Sequence, residues 1–286
     1  MICLSFEAGI IREKLLSFYA SVSVQFKLDI VFTLCNLYTY IFMLDLKTFS
    51  PCQYSTKMVR RDFNYKVSIK DLIESYNVPH TEIDLIVVND NSVDFRYYVQ
   101  NGDIIHVYPV CPIQGLAVAT PLLHLVPPIS DNPLFVVDVN LGRLARYLRL
   151  LGFDCLFCNR FDDATIANIS STTQRIVLTR DRKLLQRKII RHGYFVRSNI
   201  PKTQVKEVLS RYKLHSKFKP LTRCTHCNGV LKKTEKQKII HRLKHLTKKY
   251  HHKFLICPDC TQVYWQGSHS KHFKQLIDEF SEITGG

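Results

Sequence analysis

The chain has 286 residues, enough for two or three domains, and its 40 Lys and Arg against 24 Asp and Glu give a formal net charge of +16. That surplus predicts a polyanionic partner, with nucleic acid the leading candidate. The ten cysteines do not read as a disulfide framework, and the uncharged run Ile30 to Leu44 is, at 15 residues, too short for a membrane span, which needs about 18.

Residues 1–40 carry no motif and form an unassigned N-terminal extension. They do not read as a signal peptide, because Glu7 precedes the apolar run and no basic start or small-residue cleavage site frames it. Residues 41–111 read as a small α+β module. Val67 to Tyr76 has a helical pattern, Asp84 to Asn89 reads as a strand, and Phe95 to Val110 reads as two short strands around Asn101-Gly102-Asp103. Residues 112–132 form a linker made semi-rigid by Pro112, Pro121, Pro127 and Pro128.

Residues 133–218 alternate apolar runs with amphipathic stretches. LFVVD, FDCLF, RIVLT and GYFVRS are separated and followed by helices starting near Leu141, Asp163, Asp181 and Lys202. This pattern predicts a parallel sheet covered by helices on both faces, an α/β fold whose ligands bind beyond the carboxyl ends of the strands. Asp138 ends the first strand, Asp162 and Asp163 follow the second, and Asp181 follows the third. Crowded carboxylates repel one another unless a cation intervenes, and hard divalent ions such as Mg²⁺ take carboxylate oxygens. A competing reading makes Asp163 and Asp181 ordinary helix N-caps. Asp138 escapes it best, because its apolar strand drives the carboxylate into the site.

The helix Leu141 to Leu151 sets Leu141, Leu144, Ala145, Leu148 and Leu151 on one face and Arg143, Arg146 and Arg149 on the other, for phosphate contact or simple solvation. Cys155-Leu-Phe-Cys158 looks like a decoy, since residues three apart on a strand point to opposite faces.

Residues 219–272 hold Cys224-Thr-His-Cys227 and Cys257-Pro-Asp-Cys260, two knuckles separated by 29 residues. This is zinc-ribbon spacing, with four thiolates closing a structural site. Between the knuckles, Lys232 to Lys253 carries nine Lys or Arg, one Glu and four His, read as a phosphate-binding run or a solvated face. Trp265 reads more readily as core packing against the knuckle than as a base-stacking ring. Cys3, Cys35, Cys52 and Cys111 show no paired spacing; reduced thiols beside a metal site indicate an intracellular protein, with cytoplasm and nucleus equally open. Residues 273–286 are expected to be a C-terminal tail.

The strings FVVDVNLGRLARYLRLLGFD, IVLTRDRKLL, YFVRSN, TRCTHCNGVL and CPDCTQVYWQGSH together resemble the Mut7-C RNase domain family, a PIN-like nuclease fold with a C-terminal zinc ribbon. SIKDLIESYNVPHTEIDLIVVND and VDFRYYVQNGDIIHVYPV resemble the ubiquitin-like β-grasp domain that accompanies it. The resemblance implies a metal-dependent ribonuclease that hydrolyses RNA phosphodiester bonds. Its acids fall on Asp138, Asp162, Asp163 and Asp181, with Asp138, Asp163 and Asp181 holding Mg²⁺ or Mn²⁺. Its zinc ligands fall on Cys224, Cys227, Cys257 and Cys260. Arg143, Arg146, Arg180 and Arg182 are the candidates for steadying the substrate backbone, although Arg180 could pair with a carboxylate instead. RNA is the implied partner, and the β-grasp domain implies a protein contact. One position departs from the family: Asn199 stands where many relatives carry an acid. The rival reading is a non-catalytic RNA-binding protein.

Overall fold

The computed structural model describes residues 39–45, 55–61, 66–100, 103–110, 121–265 and 268–281. The expected extension 1–40 lies almost wholly outside them, as do Cys3, Cys35, Cys52 and Cys111.

Strands β1 (Thr39–Asp45) and β2 (Ser55–Arg61) pair antiparallel as a separate two-stranded sheet. Helix α1 (Ile69–Ser75) starts where the Ser68 hydroxyl accepts from the Asp71 amide at 3.1 Å. It buries Ile69, Leu72 and Ile73 against Ile83, Ile86, Val88, Ile105 and Val107. Those side chains belong to β3 (Ile83–Val88) and β5 (Ile105–Pro109), which with β4 (Asn91–Val93) form an antiparallel sheet in the order β4-β3-β5. Of the two strands expected around Asn101-Gly102-Asp103, the second forms and the first does not. Tyr98 makes an isolated bridge to Ser68, while the buried Asp103 carboxylate accepts from the Gln100 amide and the Tyr97 hydroxyl. This side chain draws the preceding segment into a loop instead of a ladder. The linker's second half lies on this unit: the Leu125 amide donates to the Asp84 carbonyl at 2.6 Å, and Leu125 packs on the α1 core.

Strands β6 (Phe135–Val137), β7 (Cys155–Leu156), β8 (Ile176–Thr179) and β9 (Gly193–Phe195) form the expected parallel sheet, in the order β7-β6-β8-β9. Phe135 and Val137 point to one face, under α2 (Gly142–Leu150) and α5 (Pro201–Arg211). Val136 and Val177 point to the other, under α3 (Asp163–Thr173) and α4 (Arg182–Leu185). Cover on both sides is why these strands are continuously apolar. Helix α4 is a single turn, shorter than the sequence suggests, because the chain folds back after Leu185 to bury Ile190 beneath the same face.

The zinc-spaced segment contains β10 (Lys232–Thr234), α6 (Lys236–Ile239), α7 (His245–Tyr250), β11 (Phe254–Ile256) and β12 (Val263–Trp265). Its sheet runs β10-β11-β12 over a small core of Ile239, Leu243, Phe254 and Val263. Helix α8 (Ser268–Ser281) then returns to the parallel sheet. Leu276 and Phe280 join the core under α2 and α5, so much of the stretch expected as a tail is a packed helix.

The N-terminal unit docks on β9, the sheet's edge strand. Glu82, buried, accepts from the Phe195 amide at 2.9 Å and pairs with Arg197 at 2.6 Å, while the His80 ring meets the Ile190 carbonyl at 3.0 Å. A strand edge left open would invite foreign pairing, and this contact satisfies the Phe195 amide on it.

Candidate active site and metal centre

The strand order creates a switch point. The chain leaves β6 through α2 on one face to reach β7, then crosses through α3 on the opposite face to reach β8. Neighbouring strands β6 and β8 therefore send their following segments to opposite sides, which opens a crevice at their carboxyl ends. Asp138 directly follows β6, and Asp181 lies two residues beyond β8. Between them stands Thr179, fully buried at 0% exposure. Its hydroxyl donates to Asp138 Oδ2 at 2.7 Å and accepts from the Asp181 amide at 2.9 Å. Asp138 itself is only 6% exposed, and among the described residues no cationic side chain pairs with it.

The other acids are placed differently. Asp162, exposed, caps α3 by accepting from the Thr165 amide at 2.8 Å, and the Thr165 hydroxyl together with that amide holds its carboxyl below the ordinary range. The cap expected at Asp163 thus falls one residue earlier; Asp163 opens the helix and lies 3.9 Å from the Arg187 guanidinium. Asp181 accepts from the Lys183 amide at 2.8 Å, so one side chain both caps α4 and borders the crevice. No three of these carboxylates converge to ligand distance: among the described residues, the cysteine quartet is the one such group.

Arg143 and Arg146 are exposed on α2, as the helical stripe predicts. Arg149 corrects that stripe. It is 3% exposed and donates to the carbonyls of Cys155 at 2.8 Å, His226 at 2.7 Å and Thr225 at 3.4 Å. The first cysteine knuckle covers the end of α2, and a face that would otherwise be wet becomes an interior. Arg180 reaches the Ser198 carbonyl at 3.2 Å and has no carboxylate partner among the described residues. The Arg182 guanidinium sits 4.6 Å over the Phe195 ring. Asn199 is exposed just past β9.

The four cysteine sulfurs lie within 4.8 Å of one another, with Cys224 to Cys260 at 3.5 Å and Cys227 to Cys257 at 3.4 Å. Tetrahedral Zn–S bonds of about 2.3 Å put sulfurs about 3.8 Å apart, so the residues present fit zinc. Gly229 makes the approach possible, since a Cβ there would strike the Asp259 carboxylate and come within 2.8 Å of Cys257 Sγ. Crowding divides the thiols. Burial works against ionisation of Cys224, yet the Tyr264 hydroxyl and the Cys227 and His226 amides hold its pKa down at about 6. Burial and the neighbouring sulfurs push Cys227 up to about 12. Only a cation lets all four ionise together. Cys155 stays apart from this group, buried, with its thiol pushed up to about 12 by desolvation; β7 ends at Leu156, so Cys158 lies beyond the strand on which the decoy reading placed both.

The first knuckle is fastened to β7. Asn228 accepts from the Cys155 amide at 2.9 Å and donates to Asp154 at 2.8 Å, and Asp154 also pairs with Arg175 at 2.6 Å and Arg223 at 2.9 Å. A family model for the Mut7-C RNAse domain matches residues 133–277, slightly more than half of the chain. The chain belongs to the Mut7-C RNase domain family. A second model, Mut7-C ubiquitin, matches residues 37–114, ahead of the first as the sequence strings imply. Comparison with curated proteins and with solved structures returned no match.

The Mut7-C RNase match takes in the parallel sheet, the crevice and the cysteine cluster together. Within it, sequence reasoning overlooks Thr179, although a polar residue closing the apolar run Ile176-Val177-Leu178 was a visible signal. It also overlooks Glu207 on α5, which accepts from the Arg197 and Ser198 amides at 2.8 and 2.7 Å and fixes the segment after β9. Burial raises the pKa of Glu207 against the pull of those amides and of Arg197.

Proposed function

We propose that this member of the Mut7-C RNase family is a metal-dependent ribonuclease of PIN-like architecture that hydrolyses RNA phosphodiester bonds in the crevice between β6 and β8. The observation that carries the reading is Asp138, a buried carboxylate with no cationic partner among the described residues, tied through Thr179 to Asp181 at the switch point. Asp138 and Asp181 would hold Mg²⁺ or Mn²⁺, with Asp163 as a further candidate ligand. Bound there, such an ion supplies activated water and neutralises charge developing on the phosphate. Thr179 occupies one oxygen of Asp138 and so fixes the direction of the other. The exposed Arg143 and Arg146 stand ready for backbone phosphates, with Arg180 and Arg182 beside Asp181. Zinc is structural in this reading, and the ubiquitin-like unit, of β-grasp type, serves a protein contact. The six described cysteines are unpaired, which supports an intracellular setting.

The non-catalytic alternative draws on one observation, that Asp162 and Asp181 both serve as helix caps. Incubating labelled single-stranded RNA with Mn²⁺ and either wild type or Asp138→Asn separates the two. The ribonuclease reading expects cleavage by wild type alone, with RNA binding kept by the variant. Binding without cleavage in both would select the alternative.

A further inference from the structure

The zinc module carries two features that a purely structural ribbon does not need. Of the twelve exposed large hydrophobic side chains among the described residues, five (Val230, Ile240, Leu246, Tyr250 and Trp265) lie in this one small module. The same module holds the nine Lys and Arg of the run 232–253, whose single acid, Glu235, is engaged by Lys238 at 3.3 Å; the module's other acid, Asp259, lies in the second knuckle. Aromatic rings set among uncompensated ammonium groups match a polyanion that also offers flat apolar faces. Single-stranded nucleic acid has that chemistry.

The rings are held by the module, not left on a loose tail. The Lys236 ammonium donates to the Lys248 carbonyl and ties α7 to α6. Tyr250 ends α7 at 63% exposure, with the Lys249 ammonium 5.4 Å from its ring centre. Four residues on, Phe254 pairs across the sheet with Trp265, their rings 6.5 Å apart. Trp265 shares the face of Phe254 and Val263 but sits at its margin, 39% exposed. It packs with one side and leaves another open, so core and stacking roles are compatible.

We infer that the zinc module is a grip for single-stranded RNA, which takes backbone phosphates on Lys244, Lys248, Lys249 and Lys253 and stacks bases on Tyr250 and Trp265. The identity of the polymer as RNA rests on the ribonuclease reading; the single-stranded form rests on the rings. Bases inside a duplex are stacked on one another and cannot reach them.

Trp265 is the only tryptophan in the chain, so its emission reports on the site directly. The full-length, zinc-loaded Asp138→Asn variant, which should not consume its substrate, is titrated with single-stranded oligouridine while emission and the anisotropy of labelled RNA are followed. The expected result is a saturable quench of Trp265 that coincides with the anisotropy change. Adding Tyr250→Ala, at a largely exposed position, should weaken binding about tenfold, the worth of one stacked base. Adding Lys249→Ala should reduce the salt dependence by about one phosphate contact. Duplex RNA should bind without the quench. Binding that saturates with Trp265 unchanged, an unaffected Tyr250→Ala variant, or an equal quench by polyglutamate would each overturn the inference. Quenching without cleavage by wild type would defeat the ribonuclease reading alone, whereas cleavage without quenching would defeat the grip alone.

Discussion

Replacing Arg149 by Met tests whether the zinc knuckle and the parallel sheet form one structural unit. The substitution keeps an unbranched apolar stem and removes the guanidinium. Two well-formed bonds are lost, to the Cys155 carbonyl at 2.8 Å and the His226 carbonyl at 2.7 Å, and a third at 3.4 Å is too long to count fully. Hydrogen bonds from a charged donor contribute about 1.5–3 kcal/mol each, or about 3–6 kcal/mol together. Removing a buried charge relieves part of its desolvation penalty, which leaves a net loss of about 2–4 kcal/mol. That is large beside a domain stability of about 5–15 kcal/mol. Urea unfolding followed by Trp265 emission reads the zinc module itself, and transfer of zinc to a chromophoric chelator reads the knuckle. We expect the module's transition to move to lower urea and zinc release to accelerate, because the lost bonds reach the two residues between Cys224 and Cys227. Combining the change with Asn228→Ala should be non-additive, since both side chains fasten the same knuckle to Cys155. A shift within about 0.5 kcal/mol, the range of ordinary surface substitutions, with zinc release unchanged, would refute the reasoning.

Thr179→Val keeps the shape but removes the hydroxyl that orients Asp138, so single-turnover RNA cleavage should fall about 10–100-fold while Thr179→Ser retains most of it; full activity in the Val variant would rule out the orienting role. Burial disfavours the charged form of Asp154, but Arg175, Asn228 and Arg223 outweigh it and hold the carboxyl below its ordinary range. Its stabilising contribution is therefore whole above about pH 4 and lost as pH falls further. The stability gap between wild type and Asp154→Asn should close over that acid range, and a gap that persists or widens there would contradict the assignment. Glu82→Ala removes the acceptor for the Phe195 amide and the partner of Arg197, so hydrogen exchange at Phe195 should speed up; unchanged protection would show that the two units are held together by other contacts.

Much of the architecture could be read from the chain because burial imposes simple patterns. Phe135 to Val137 and Ile176 to Leu178 are buried on both faces, and such stretches have to be apolar throughout. The four-cysteine cluster was legible because two knuckles must each present two sulfurs at fixed spacing. What periodicity leaves out is the identity of the covering element. Arg149 sits on the helix face that composition marks as wet, and only the packing of a knuckle more than seventy residues away turns it inward. For the same reason, adjacency of β6 and β8, and with it the Thr179 bridge, is a property of strand order that no local pattern states. Asp103 shows the converse failure, a side chain satisfying neighbouring groups so well that the strand expected before it does not form. Helix α8 was within reach, since Leu276 and Phe280 stand one turn apart on a single stripe.

The most direct test of the crevice as a metal site is Mn²⁺ binding to the zinc-loaded chain, followed by electron paramagnetic resonance. Wild type is expected to bind the ion, and Asp138→Asn and Asp181→Asn are each expected to weaken binding at least about tenfold, as lost ligands do, with zinc content unchanged. Equal Mn²⁺ binding by all three proteins, or none by wild type, would contradict the assignment of these two carboxylates.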